Sequence, residues 1–527
     1  MDDILGLVTA VSGSEMRAAV TAEKFTEASI RLGTMIKVQS ADLEVVGTIS
    51  AAEVEAHGSP ARIVLVVDLL GEIVPSAERP AQFRQGVSRH PIPGAPVRAT
   101  TTADLTAVYA QSSVSTIGIG SLYHDPTRPA CVLIDELLAK NFAVLGATGS
   151  GKSCAVTLLL STILVDHPNA RIIVLDPHNE YAGAFGEHAE LYNADNLQLP
   201  IWLLDFEEAV GVLVRGGTAQ EQETQTIILK DAITRARRRH WSDTATSITV
   251  DTPVPFSAAD LLRFIDEAMG RLDNPDTSAP YLRLRTRLES LRSDRRYAFL
   301  FSESVAIRDT LSRIVGRLLR IPVNGKPLTI IDLSGIPSEI TDVVVSLVCR
   351  LTFDVALWAD REQLPPVLLV CEEAHRYVPA TETIGFGATA RAITRIAKEG
   401  RKYGVSLALV SQLPSELSGQ VLAQCGTVFA MRLGHYLDQR FMGTALPDAA
   451  RGMLSALPSM RTQEAIVFGE GVPLPMHIRF DDLAQERRPR SDSAKFSKAW
   501  QDDSVDAEVL NEAIRRWRQQ RRKPPTR

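Results

Sequence analysis

Residues 146–153 read Gly146-Ala147-Thr148-Gly149-Ser150-Gly151-Lys152-Ser153, and Cys154 follows. This is the G-x-x-x-x-G-K-S spacing, and its residue types suit the gripping of a triphosphate. Glycines let the backbone curl, and successive N–H groups from Gly146 to Cys154 turn toward phosphate oxygens. Lys152 reaches the β- and γ-phosphates, and the Ser153 hydroxyl holds Mg²⁺. Such a loop works only between a strand and a helix. Phe142-Ala143-Val144-Leu145 is an apolar run fit for a buried strand, and Cys154 to Leu160 suits a helix start. The helix N-terminus adds a partial positive charge. ATP and Mg²⁺ are the expected cofactors.

Four further groups belong to the same chemistry. Val367 to Cys371 is a continuous apolar run that ends in Glu372-Glu373-Ala374-His375. Successive strand residues face opposite ways, so the two carboxylates take different tasks. Glu372 stands where a metal-organising carboxylate belongs, and Glu373 is placed to orient and deprotonate an attacking water. His375 reads as an orienting neighbour of the acidic pair. Ser411-Gln412, at the tip of the run Val405 to Val410, suits a γ-phosphate sensor, because a neutral amide bonds phosphate without altering the charge balance. Asp176, with His178 and Glu180 beyond it, ends the run Arg171 to Leu175 and is expected near the metal with Ser153 and Glu372. Ala390 to Lys402 reads as an amphipathic helix. Its Arg401, then Arg395, are the candidates for an arginine that stabilises charge on a neighbouring subunit's γ-phosphate, with Arg432 a third.

The elements that must position these groups divide the chain. Residues 1–100 hold short β-rich runs separated by polar or glycine turns, which predicts a small barrel or sandwich. Residues 101–205 read as the first part of an α/β core, and residues 326–485 as its second part. The runs ending at Asp176, Asp332, Cys371 and Ser411 are parallel-sheet strands with polar groups past their C-terminal ends, where ligand chemistry collects. Residues 206–325 lose the strand pattern and read as a helical insertion, with polar breaks near Asp243 and Asp273. The arginine runs Arg235–Arg239 and Arg283–Arg287 read as solvated helix faces ahead of DNA contacts. Residues 486–527 are a polar tail with a strongly basic end. The glycine-rich segment Ala380–Thr389 serves either as a pore-facing loop or as a plain connector.

Composition narrows the classes. The chain has 527 residues and a formal net charge of −6, so it has length for more than one domain and no global basic surface. Any DNA contact must use local patches or a channel assembled from several subunits. Cys131, Cys154, Cys349, Cys371 and Cys425 lack paired spacing and read as buried free thiols. The acidic start Met1-Asp2-Asp3 carries no secretory pattern, and no apolar stretch is long enough to span a bilayer. A cytoplasmic location and no membrane partner follow as expectations. Leu417-Ser418-Gly419-Gln420 looks like the signature of ABC transporter ATPases, but it follows Glu373 where theirs precedes the acidic strand, and that reading is set aside.

Several segments together resemble one family, the HerA-type hexameric DNA translocases of the HerA–FtsK group. They are Ile117–Leu122, Phe142–Ser153, Leu175–Tyr181, Ile331–Pro337, Val370–Pro379, Glu399–Gly404 and Val410–Leu417. Asn179 departs from the glycine common there, and Asn tolerates the positive φ such a bend needs. The resemblance implies a RecA-like P-loop core with a parallel sheet, an N-terminal barrel and a helical insertion. It also implies a homo-hexamer around double-stranded DNA, with ATP between subunits and an arginine supplied in trans. A separate effector, a NurA-like nuclease, another nuclease or a sirtuin-like NADase, would dock on the barrel, in DNA end processing or antiphage defence. The leading expectation is an ATP-driven double-stranded DNA translocase. The competing one is an ATP-regulated ring that assembles and gates an effector with little translocation. A secretion or conjugation ATPase comes third, for want of a membrane anchor.

Overall fold

In a computed structural model, the structure describes residues 4–28, 30–31, 33–54, 62–74, 81–109, 115–241, 247–271, 275–301, 310–360, 363–381, 387–445, 448–490, 497, 500–501 and 507–519. Its strands are β1 (Ile4–Ser12), β2 (Glu15–Thr21), β3 (Met35–Ser40), β4 (Leu43–Val54), β5 (Arg62–Val74), β6 (Gln82–Gln85), β7 (Pro96–Ala99), β8 (Thr116–Leu122), β9 (Pro129–Leu133), β10 (Phe142–Leu145), β11 (Ile172–Asp176), β12 (Ala189–Tyr192), β13 (Leu328–Asp332), β14 (Val367–Cys371), β15 (Val405–Ser411), β16 (Thr427–Met431), β17 (Glu464–Gly469) and β18 (Met476–Phe480). Packing gathers them into two compact units. One comprises residues 1–166 and 408–483, and the other residues 167–407 and 484–527.

The first unit opens with a barrel. Its strands pair antiparallel in the order β2-β1-β7-β3-β4-β5, and β5 returns to β2, so six strands close on themselves. β6 adds to β5 outside the closed ring. Closure removes the exposed strand edges. Inward positions alternate along each strand, as in Met16, Ala18 and Val20 of β2, or Ile36 and Val38 of β3, and these fill the barrel core. Gly6 permits a close approach, because a Cβ there would lie 2.2 Å from the Ala19 carbonyl oxygen.

The same unit holds the strand that leads into the phosphate loop. β10 is buried along its whole length and runs parallel between β15 and β16. Beyond β16 the sheet turns antiparallel through β17, β18, β8 and β9. The sheet is therefore mixed, whereas the sequence pattern pointed to a parallel one. Short connections account for the change: hairpins join β17 to β18 and β8 to β9, and a parallel neighbour would need a long crossover.

The second unit has a parallel sheet in the order β12-β13-β11-β14. Asp176 and Asp332 end β11 and β13 in register with one another. Helices replace strands between β12 and β13. Phe206–Leu213, Ala219–His240 and Ala258–Met269 each start on a capping box, Asp205 with Glu208, Thr218 with Glu221, and Ser257 with Asp260. Ala219–His240, Ala258–Met269 and Ala279–Ser293 pack on one another. In the arginine run at 235–239, Arg238 and Arg239 are exposed as a solvated face would be, but Arg237 departs from it. Arg237 is 1% exposed, lies over the Phe256 ring and donates to the carbonyls of Trp202 (3.4 Å) and Leu204 (3.0 Å). Arg235 pairs with Glu267 at 2.7 Å. Burial lowers the Arg237 pKa to about 10.

The helix Gly387–Tyr403 buries Thr389, Ile393, Ile396, Ala397 and Gly400, one face at helical spacing. Gly400 is required by crowding, since a Cβ there would lie 2.3 Å from the Val405 carbonyl oxygen. Residues 382–386 of the glycine-rich segment, 242–246 and 272–274 of the insertion, and the basic end 520–527 lie outside the described residues. The tail helix Ala507–Arg518 buries none of its residues. Cys349 and Cys371 are buried, while Cys131, Cys154 and Cys425 are only half-buried, and all five are free thiols. Among the described residues no helix is long and apolar enough to cross a membrane.

Candidate active site

Each unit carries one cluster of the expected residues. In the first, the phosphate loop leaves β10 and is pinned at once to its flanks. The Gly146 amide donates to the Ser411 carbonyl (3.2 Å), and the Ala147 amide to that of Arg432 (2.8 Å). A Cβ on Gly146 would stand 2.8 Å from both Met431 Cβ and Ser150 Oγ. The Ser150 amide closes the turn on the Ala147 carbonyl at 3.1 Å. Gly149 and Gly151 have φ of +74° and +102°, where an L side chain is strained. Lys152 is buried, and its Nζ donates to the Ala147 carbonyl at 3.2 Å, drawing the ammonium across the loop. The helix Lys152–Asp166 begins there, with Ser153 and Cys154 half-exposed in its first turn.

Protein carbonyls occupy the Gly146, Ala147 and Ser150 amides. The amides of Thr148, Gly149 and Gly151 make no backbone hydrogen bond among the described residues. With the first-turn amides they form the anion-binding concavity. Gln412 meets the loop directly, its Oε1 accepting from Thr148 Oγ1. Arg432 donates to the Gly149 carbonyl at 3.4 Å. Arg432 thus lies against the loop of its own chain. Thr462 and Gln463 were not singled out by the sequence, yet both brace the loop. Thr462 Oγ1 donates to the Gly149 carbonyl (3.3 Å), and the Gln463 amide to that of Ser150 (3.1 Å). Nothing in their local pattern marks this, because the contact forms only when β17 returns beside β16.

The second unit gathers the acidic cluster. Glu372 and Glu373 follow β14, and both are buried. Glu372 Oε2 accepts a 2.6 Å bond from the Tyr181 hydroxyl. Tyr181 is wholly buried, and burial together with the Glu372 charge pushes its pKa well up, so it remains a donor. This partnership escaped the sequence reading, although Tyr181 lies inside the motif that carries Asp176. Glu373 sits in the left-handed region at φ 53°, ψ 46°, and heads the turn Ala374–Arg376. Held strain at a carboxylate between strand and turn is a recurring mark of functional positions. Its Oε1 is 3.6 Å from His178 Nε2, and its Oε2 3.4 Å from His375 Nδ1. Two imidazoles therefore flank it.

Asp176 is fully buried and accepts from the amides of His178 (3.2 Å) and Tyr181 (3.0 Å). Burial raises its pKa to about 6 against those amide bonds. Its oxygens organise the bend 176–181, in which Asn179 takes φ 56°, the positive value inferred for it. Glu180 is half-buried on that bend. Of the arginines, Arg395 is committed within its own unit: its Nη1 lies 3.7 Å from Asp354, and its guanidinium stacks 4.4 Å over the Phe353 ring. Arg401 is exposed near the end of the same helix and makes no ion pair among the described residues.

Comparison with known proteins agrees with this chemistry. The family model for the central domain of helicase HerA matches residues 117–352. The chain is 24% identical over 402 residues to the DNA double-strand break repair helicase HerA of Pyrococcus furiosus, covering 70% of each chain. It is 25% identical over 437 residues to the protein of the same name from Saccharolobus solfataricus, covering 78% of this chain and 79% of that one. The fold is similar to VirB4 of Thermoanaerobacter pseudethanolicus, with a TM-score of 0.50, 18% identity, and 72% of this chain and 99% of that one covered. A phosphate loop heading a buried parallel strand thus accompanies similarity to HerA helicases along most of the sequence, with the HerA central-domain model matched over residues 117–352.

Proposed function

We propose that the chain is an ATP-driven motor that moves double-stranded DNA through the channel of a homo-hexameric ring. The observation that carries this reading is the coexistence of an intact phosphate loop with similarity, over most of the chain, to proteins named DNA double-strand break repair helicases. In this reading the loop grips the nucleotide's phosphates, and the acidic cluster supplies the base for hydrolysis. Lys152 neutralises the β- and γ-phosphates, and Gln412 senses the γ-phosphate. Glu373, flanked by His178 and His375, orients the water and takes its proton. Glu372 is held by Tyr181, and Asp176 shapes the bend that presents Tyr181.

Mg²⁺, when bound, supplies charge at the phosphates. Among the described residues no three His, Cys, Asp or Glu are grouped to hold a metal. Magnesium suits that pattern, because it takes one or two protein oxygens and draws the rest from phosphate and water. Ser153, through its hydroxyl, and Glu372, through its carboxylate, are the residues that would hold it. Arg401 is assigned to the neighbouring subunit's nucleotide, since Arg395 and Arg432 are engaged within their own units. A separate effector enzyme, a nuclease or an NADase, docks on the barrel.

The test is displacement of a protein roadblock from linear duplex DNA. The wild type with ATP clears the roadblock, and Lys152→Ala neither binds ATP nor clears it. ATP turnover and ring assembly without any clearance would refute the motor and leave a scaffold.

A further inference from the structure

Beside the phosphate loop, within the first unit, lies a cleft of about 260 Å³. Leu122, Tyr123, Pro126, Arg461, Glu464 and Arg479 line it. Thr462 forms part of its wall and joins it to the loop, donating to the Gly149 carbonyl at 3.3 Å. A Cβ on Gly151 would come within 3.5 Å of Thr462 Cγ2, so no other element intervenes at that wall. The cleft is smaller than the roughly 300–1,000 Å³ of sites that enclose a whole ligand. It is sized for one end of a molecule whose other end lies elsewhere.

Its chemistry fits a nucleoside. Tyr123 follows β8 and is 43% exposed. One face of its ring is backed by His477, with centroids 4.1 Å apart and planes 15° from parallel. The Tyr123 amide, donating to the His477 carbonyl at 2.9 Å, fixes the pair. Burial and the adjacent His124 lower the His477 pKa, which keeps the backing imidazole neutral. A rigid aromatic ring with one face braced and substantial exposure is a platform for a planar base. Glu464, 5% exposed, accepts from the Arg461 amide at 3.0 Å and offers acceptor oxygens for a ribose hydroxyl or a base amine. Arg461 and Arg479 make no ion pair among the described residues, so the rim is cationic.

We infer that this cleft receives the base and ribose of the nucleotide whose phosphates the Gly146–Cys154 loop grips, and that Tyr123 is the residue on which the base stacks. The inference rests on the nucleotide reading above, and a ligand without a base separates the two. Calorimetry on the full chain with Mg²⁺ compares ADP with inorganic tripolyphosphate. Tyr123→Ala weakens ADP binding about tenfold and leaves tripolyphosphate unchanged, and Tyr123→Phe restores ADP binding. If the wild type binds neither ligand, the nucleotide reading falls and the cleft with it. If the wild type binds both, and Tyr123→Ala loses neither or loses both alike, only the cleft assignment falls. Photolabelling of the wild type with 8-azido-ADP gives a second measurement that needs no variant. Label on the peptides bearing Tyr123 or Arg461–Arg479 supports the assignment, and label confined elsewhere overturns it.

Discussion

Glutamine at position 373 tests the reaction at its centre. The native carboxylate sits at φ 53°, ψ 46° between His178 and His375. Glutamine preserves length, shape and backbone conformation, so it removes only the capacity to accept a proton. Loss of a positioned general base costs about 10²–10⁴ in rate, which raises the barrier by roughly 3–5 kcal/mol. Nucleotide affinity should stay within about twofold, because the carboxylate's task falls in the transition state. Stability should hardly move, since the left-handed conformation is kept. Glu373→Gly provides the control. It also abolishes turnover, and it releases about 1 kcal/mol of backbone strain against a similar entropic cost in the unfolded chain. Single-turnover hydrolysis of radiolabelled ATP, equilibrium nucleotide binding and thermal unfolding report the three quantities. Wild-type turnover by Glu373→Gln would refute the assignment of the base. A large loss of ATP affinity would place the residue on the ground-state phosphates instead.

Three other perturbations follow from the same geometry. Gly151→Ala puts a side chain at φ +102° and 3.4 Å from the Gln463 nitrogen, so ATP affinity should fall at least tenfold while the far-ultraviolet dichroism is unchanged. Arg237→Ala removes the donor to the Trp202 and Leu204 carbonyls and opens a buried cavity, and should destabilise the chain by about 2–4 kcal/mol in urea titration. Arg237→Met keeps the volume and should cost less. Asp176 has a folded-state pKa of about 6, above its ordinary 3.8, so the native state takes up the extra proton between those values. Its contribution is fully present below pH 3.8 and is lost as pH rises through about 6, a span worth roughly 3 kcal/mol. Asp176→Asn should flatten the urea midpoint between pH 4 and 7, and an unaltered slope would show that this carboxyl does not titrate there.

Local chemistry alone identified much of this protein. The Gly146–Ser153 spacing requires its two positive-φ glycines whatever surrounds it. Continuous apolar runs identified β10, β11, β13, β14 and β15, because a strand covered on both faces has no polar side. The positive φ of Asn179 was equally local. Tertiary structure decided which partners the side chains found. Arg237 belongs to a run that reads as solvent-facing, yet packing sends it inward onto Phe256, which no charge count reveals. The pairing of Tyr181 with Glu372 joins residues 191 apart in sequence, and Thr462 reaches Gly149 across 313. Motif spacing reports what a backbone segment can do by itself. Hydrogen bonds between distant segments, and the antiparallel half of the sheet, exist only once chain closure has set strand order.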